Sequence, residues 1–250
     1  MIKRPNLLLI AGSDSGGCAG IQADLRVSHH LQSHGTTVIT AITAQNTQRV
    51  VKVYPQSSDV IEAQLDAIYQ DFTIDAVKIG MLFNQNIIKT VAHFCKQLEN
   101  VPLVVDPVCI ATSGDSLLEK SAINSLIVDL IPHATLITPN LDEYKTLKAH
   151  GFRLKTTNTL ITGGDEGVDF VRDTLYLKPE RTPTTFRSPK IKTKNTHGSG
   201  CSLSTAIAVM LARGKTIHDS VNASISIIQQ GIKQAKYDTI GKGHGPLNFD

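Results

Sequence analysis

The chain has 250 residues, 41% of them hydrophobic, and a formal net charge of +3. That length and apolar share supply one large core, while the scattered basic residues lack the clustered footprint of a nucleic-acid binder. No Ser/Gly/Pro tract, charge block or repeat marks a linker, so residues 1–250 are expected to form a single domain. The opening MIKRPNLLLIAG holds an apolar run too short for a signal-peptide core or a membrane span, and it reads as a strand. Cys18, Cys95, Cys109 and Cys201 show no CxxC spacing, which points to reduced thiols and a cytoplasmic chain, with no membrane partner.

In chain order, the apolar runs predict strands at Leu7–Ala11, Thr37–Thr43, Ala76–Ile79, Leu103–Val105, Ala134–Thr138 and Thr159–Thr162. Segments of helical period fall between them, near 19–34, 57–70, 84–99, 117–130 and 140–149. The alternation argues for βαβ units and a mainly parallel sheet covered on both faces. Thr, Arg, Pro and Phe crowd 170–190, where short strands or a hairpin are expected. The last third is helical, 200–213 and then 216–235. Leu203, Ile207, Met210 and Leu211 share one face of the first of these helices. Gly214 is placed to stop it, and Ser199 and Ser202 are candidates to cap its start.

In open α/β sheets ligands sit where strands end and helices begin, so the strand exits carry the functional reading. The first is AGSDSGGCAG (11–20), whose small residues allow close approach to the backbone. It is neither a Walker A loop nor a GxSxG elbow, since it lacks GK[ST] and has Asp14 where the serine belongs. In VVDPV (104–108), Asp106 ends a buried strand and is placed to hold a hydrated Mg²⁺, although Asp-Pro also makes a plain turn. In TPNLDE (138–143), Asn140 is placed to cap a helix whose first turn carries Asp142 and Glu143, an arrangement the helix dipole favours by itself. TGGD (162–165) is a further glycine exit. Gln45, after the strand of TAITAQNT, suits either the donor–acceptor edge of a heterocycle or a turn.

The stretch NTHGSGCSLSTAIAVMLARG (195–214) combines a bare turn with a helix start. Amides there have no internal partners and form an anion site. A thiol at a helix N-terminus is expected to have a lowered pKa, which makes Cys201 a candidate base or nucleophile; the bland alternative is a small core cysteine. His29, His30 and His34 fall on one predicted helix, with His30 and His34 at i, i+4 spacing, but no third ligand accompanies them.

AGSDSGGCAGIQADL (11–25), TAITAQNT (40–47), VKIGML (77–82), VVDPV (104–108), TPNLDE (138–143), HGSGCSLSTAIA (197–208) and GKGHGPLN (241–248) together resemble the hydroxymethylpyrimidine/phosphomethylpyrimidine kinases of thiamine biosynthesis, in the ribokinase-like superfamily. The resemblance spans about residues 7–248. It implies an α/β fold, a three-layer α/β/α sandwich with a mainly parallel central sheet. It also implies ATP and Mg²⁺ as cofactors, a small pyrimidine as substrate, two successive phosphorylations, and an association into homodimers. By the same correspondence Gly12, Gln45, Met81 and Val108 would line the pyrimidine. Asn140, Thr162, Gly163 and Gly164 would hold the nucleotide, and Asp106 and Glu143 the metal. Gly198, Ser199 and Gly200 would cradle the phosphoryl group, with Cys201 as the catalytic thiol.

The sequence departs from the family pattern at several points. Thr162 stands in the lysine position of KGGH, and Thr112, in Ala111–Asp115, in that of AKSGD. Cys109 replaces a methionine, Cys18 a glycine, and the terminal NH is Asn248-Phe249. The helix usually found before the nucleotide-site strand is expected to be trimmed to a loop at 150–158. Lys192 and Lys194 are candidates to replace the two lost ammonium groups. The rival readings are a pyridoxal or pyridoxine kinase of the same fold, a pyrimidine-binding protein with weakened catalysis, and a cysteine hydrolase pairing Cys201 with His197. The last lacks an orienting third residue.

Overall fold

The computed structural model describes residues 4–109, 117–154, 156–166, 169–179 and 182–250. Ala111–Asp115, with Thr112, lies outside them. Among the described residues nine strands form one sheet in the order β3-β2-β1-β4-β5-β6-β7-β8-β9. These are β1 (Asn6–Asp14), β2 (His34–Gln45), β3 (Val50–Pro55), β4 (Ala76–Ile79), β5 (Leu103–Val105), β6 (Leu136–Ile137), β7 (Thr159–Glu166), β8 (Phe170–Tyr176) and β9 (Thr184–Pro189). From β2 through β7 neighbouring strands pair in parallel. β3 closes one edge antiparallel to β2, and the β7–β8–β9 meander closes the other.

Burial on both faces explains why the central strands read as unbroken apolar runs. Leu8, Ile10, Val77, Ile79, Val105 and Ile137 turn toward one helical layer, made by α2 (Ser58–Asp71), α3 (Gln85–Cys95), α4 (Ile123–Ser125) and α5 (Leu141–Ala149). Leu7, Leu9, Ala11, Ala76, Val104 and Leu136 turn toward the other, made by α1 (Gly20–His30), α6 (Ser199–Ala212) and α7 (Ile217–Gln234). α4 (Ile123–Ser125) is a single α-turn within a helical segment, 120–133, that is 3₁₀ at both ends and π over Leu126–Leu130. This is the expected three-layer α/β/α sandwich.

Several boundaries differ from the sequence reading. β3 was not anticipated: VVKVYP pairs only along one edge, and Val51 and Lys52 stay exposed. The helix expected over 19–34 ends at His30, and His34 opens β2, so His30 and His34 do not share a helix face. The helix expected at 117–130 begins at Lys120, because Leu118 is extended and bridges to Phe83. The described residues of 150–158 contain no helix, in line with the trimmed loop.

α6 is buried on every side from Ser202 to Leu211, not along one stripe. Neither Ser199 nor Ser202 caps it. Its N-cap is Gly198, in the left-handed region at φ +77°. At the far end Gly214 does stop the helix: its N–H donates to Leu211 O and that of Lys215 to Met210 O, the paired bonds of a Schellman turn.

Candidate active site

A cavity of about 410 Å³ opens at the C-terminal ends of the parallel strands, where a doubly wound sheet puts its ligands. Of the residues predicted for the site, Gly12, Gln45, Met81, Asp106, Val108, Asn140, Glu143, Thr162, Gly163, Gly198, Ser199, Gly200 and Cys201 all line it. Gly164 does not. It sits in the β7–β8 pairing opposite Arg172, where a Cβ would come 2.9 Å from the Arg172 carbonyl oxygen. Lys192 and Lys194 are exposed and lie off the cavity wall, so neither replaces a lost ammonium group there.

Two glycine-rich turns meet at one end. After β1, the Asp14 carboxylate accepts the N–H groups of Gly16 (2.8 Å), Cys18 (2.9 Å) and Ala19 (2.9 Å), which folds the loop around it. Gly198 packs onto this loop so closely that a Cβ would lie 2.2 Å from Cys18 O. Only glycine meets both that approach and the left-handed backbone. The Ser199 N–H turns back to Thr196 O and the Ser202 N–H makes the first intrahelical bond, to Gly198 O. The amides of Gly200 and Cys201 are left at the helix mouth. Asp14, Cys18 and His197 also bring donor atoms within 4.8 Å of one another. The carboxylate there is already committed to three amides, and the cluster braces the loop.

Asp106 faces the mouth of α6. A Cβ on Gly200 would lie 3.7 Å from its Oδ2, and Ser204 Oγ is 3.5 Å from the same oxygen. Glu143 comes from the first turn of α5, held in a capping box: Asn140 Oδ1 accepts the Asp142 and Glu143 N–H groups, and Glu143 Oε2 accepts the Asn140 N–H at 2.9 Å. Its other oxygen accepts the Cys109 N–H at 3.4 Å. Burial, then repulsion from Asp106, raises the pKa of Glu143. Burial also raises that of Asp106, against the pull of Lys78. Close by, the hydroxyl of Thr138 is buried without a partner among the described residues. Two buried, mutually repelling carboxylates and an unsatisfied hydroxyl oxygen are a donor set that suits a hard divalent cation.

Cys201 faces the cavity, and the Gly20 N–H points at its sulfur. The expected acidic thiol is not found: burial pushes Cys201 up to about 12, Lys78 pulls it down, and Asp24 and Asp106 push it up further. Desolvation and two neighbouring carboxylates outweigh the helix mouth.

The remaining walls differ in character. At the β2 end, Thr43 Oγ1 is 3.1 Å from Gln45 Oε1, and Gln45 Nε2 is 3.2 Å from His197 Nε2. Burial lowers the pKa of His197, against the pull of Asp14, and so favours its neutral ring. Gly12 makes room for Met81, whose sulfur would lie 2.9 Å from a Cβ there. Met81, Ala41 and Leu117 form a small apolar cluster with Val108 packed on it. At the β7 end, Thr162 and Gly163 face Val171, Asp173 and three residues of α7, Ile228, Gln229 and Ile232. The Gly163 N–H donates to Asp173 Oδ1 at 2.9 Å. Among the described residues no lysine or arginine lines the cavity.

Sequence reasoning passed over Asp173 and the groups behind Cys201. Lys78 of β4 is fully buried and reaches both oxygens of Asp24 at 2.8 Å, and Thr205 Oγ1 donates to Asp24 Oδ1 at 2.8 Å. The available signal was a lysine inside the otherwise apolar strand AVKI.

A three-layer sandwich with its cavity at the strand exits, amides at a helix mouth and paired carboxylates opposite belongs to the ribokinase-like class. The pattern of the phosphomethylpyrimidine kinase family matches residues 14–248, and the chain belongs to that family. Hydroxymethylpyrimidine/phosphomethylpyrimidine kinases of Salmonella typhimurium (38% identity, 99% of this chain and 98% of theirs) and Rhizobium meliloti (39%, 96% and 95%) align along nearly their whole length. Among solved structures, a phosphomethylpyrimidine kinase of Clostridium difficile has a TM-score of 0.77 at 36% identity, covering 92% of this chain and all of that one. A Bacillus subtilis pyridoxal kinase, solved as an ADP complex, has 0.85 at 33%, covering 99% and 98%. Among the described residues no helix is long and apolar enough to cross a membrane.

Proposed function

We propose that this chain is an ATP-dependent kinase that phosphorylates 4-amino-5-hydroxymethyl-2-methylpyrimidine and then its monophosphate, giving the diphosphate used to make thiamine. The observation that carries this reading is one cavity with a partly apolar end at Gly12, Gln45, Met81 and Val108, the Cys201 helix mouth, and the β7–α7 wall. Gln45 offers the ring its amide. Asn140, Thr162 and Gly163 flank the nucleotide. The amides of Gly200 and Cys201 take up negative charge on the transferring phosphoryl group.

In the first reaction the acceptor hydroxyl oxygen bonds to the γ-phosphorus as the bond to the leaving oxygen of ADP breaks, and the hydroxyl proton passes to the thiolate form of Cys201, which leaves the step as the neutral thiol. Asp106 and Glu143 would hold Mg²⁺, which supplies charge neutralisation to the phosphates when bound. In the second reaction the acceptor is a phosphate oxygen that is already ionised.

Incubation with ATP-Mg²⁺ and, separately, the pyrimidine alcohol, its monophosphate and pyridoxine, following ADP, tests the assignment. Turnover is expected with both pyrimidine acceptors. The pyridoxal kinase reading takes over if pyridoxine is the better substrate. Tight pyrimidine binding without turnover of any acceptor would leave a binding protein instead.

A further inference from the structure

Gln45 and His197 meet at the β2 end of the cavity from distant parts of the chain, with Gln45 Nε2 lying 3.2 Å from His197 Nε2. An amide nitrogen only donates, so the imidazole nitrogen of this pair is the acceptor and carries no proton. At the other end of the amide, the Thr43 hydroxyl does not fix which way it faces. Its single hydrogen can go to Ser13 O at 3.0 Å or to Gln45 Oε1 at 3.1 Å. Once given to Ser13, it leaves an oxygen that would accept from a reversed amide just as well. The direction of the Gln45 amide is therefore set by His197.

The ring is held in that state. His197 is only 6% exposed, and burial favours the neutral form, which keeps one proton. Nδ1 is buried and makes no hydrogen bond among the described residues. The His244 backbone raises the pKa of the ring, as a carbonyl near a ring N–H does. With Nε2 turned to Gln45, the proton falls to Nδ1. The C-terminal segment clamps the backbone on both sides. The His197 N–H donates to Gly245 O at 3.0 Å, the Gly245 N–H to Asn195 Oδ1 at 3.2 Å, and the His244 N–H to Thr47 O at 2.8 Å, just past Gln45.

We propose that His197 is a positioning residue for substrate selection: its bare Nε2 accepts one amide hydrogen of Gln45 and so fixes the amide to read heterocycles that carry an amino group beside a bare ring nitrogen. The inference rests on the pyrimidine reading of this end of the cavity. After serving His197 and Thr43, the amide keeps one N–H and one lone pair. These match an amino group beside a bare ring nitrogen and mismatch the reverse edge, a carbonyl beside a ring N–H. The ring could suit a reversed amide only by turning its hydroxymethyl group away from the helix mouth.

Isothermal titration calorimetry compares the 4-amino pyrimidine alcohol with its 4-oxo analogue, whose edge is reversed, on the wild-type chain, H197L, Q45A and H197L/Q45A. Long-range proton–nitrogen NMR spectra of the wild-type chain report which ring nitrogen of His197 holds the proton, and need no variant to fold. The wild-type chain is expected to bind the amino compound at least about tenfold more tightly than the oxo compound. In H197L the amide turns freely, so the two are expected to come within about threefold, the amino compound weakened and the oxo compound strengthened. In H197L/Q45A the ratio is expected to equal that of Q45A, because His197 acts through Gln45. The spectra are expected to show Nδ1 protonated and Nε2 bare.

A ring that only holds the C-terminal segment in place would weaken both compounds alike and leave the wild-type ratio in H197L. That result, a further change of ratio in the double variant, or a proton on Nε2 in the wild-type spectra overturns the proposal. Failure of the pyrimidine reading would show separately, as a wild-type chain that binds neither compound, and the selection built on it would fall with it.

Discussion

Replacing Cys201 with alanine is expected to separate the two phosphorylations. The ligand-free thiol is pushed up to about 12, so its thiolate fraction is about 10⁻⁵ at pH 7 and about 10⁻⁴ at pH 8, tenfold for each pH unit. If the sulfur must accept the hydroxyl proton, single-turnover rates with the pyrimidine alcohol should climb at that slope until the loaded site's own thiol pKa is reached. The monophosphate acceptor has a second pKa of about 6 and needs no proton removed, so its rate should be nearly flat above pH 7. C201A should therefore lose the slope with the alcohol and about 10²–10⁴-fold in rate. With the monophosphate it should lose less than about tenfold, because the amides of the helix mouth are backbone groups and survive the change. Rapid-quench measurement of ADP at pH 6.5–9 with each acceptor decides the matter. Equal losses with both acceptors, or an alcohol rate flat in pH before mutation, would refute a base at this position.

Two further outcomes follow from the same geometry. The raised pKa values of Asp106 and Glu143 mean that the folded metal-free protein binds more protons than the unfolded chain above the ordinary carboxylate range. Its stability should therefore fall as pH rises from about 4 through the raised values, and the thermal upshift on adding Mg²⁺ should be larger at pH 8 than at pH 5. E143Q should flatten both trends, and a Mg²⁺ shift independent of pH would count against the pair as ligands. G198A should cost about 1–2 kcal/mol from the left-handed backbone alone, with the clash against Cys18 O added. Urea denaturation reads the loss, and a change below about 0.5 kcal/mol, the range of an ordinary surface substitution, would mean the turn relaxes freely.

What the sequence made legible was whatever depends on neighbours along the chain. The alternation of apolar runs yields the layered sheet. The glycine runs at 11–20 and 197–200 mark the strand exit and helix mouth that meet in the cavity. Asn140 and Glu143, three residues apart, form the capping box their spacing suggests. Where a property depends on what packs across the fold, the reading failed. β3 gains its pairing from β2 and has little apolar burial of its own to announce it. Gly164 has the composition of a ligand loop, but the β7–β8 hairpin claims it for close strand approach. The pKa of Cys201 is the sharpest case. A helix N-terminus predicts an acidic thiol, yet the sulfur is governed by burial and by Lys78, Asp24 and Asp106, which reach it from a strand, a helix and a strand exit. None of these is adjacent to it in sequence. A thiol so placed stays protonated while the cavity carboxylates are bare and loses its proton more readily as their charge is offset, so the chemistry of Cys201 belongs to the loaded cavity and not to the helix that carries it.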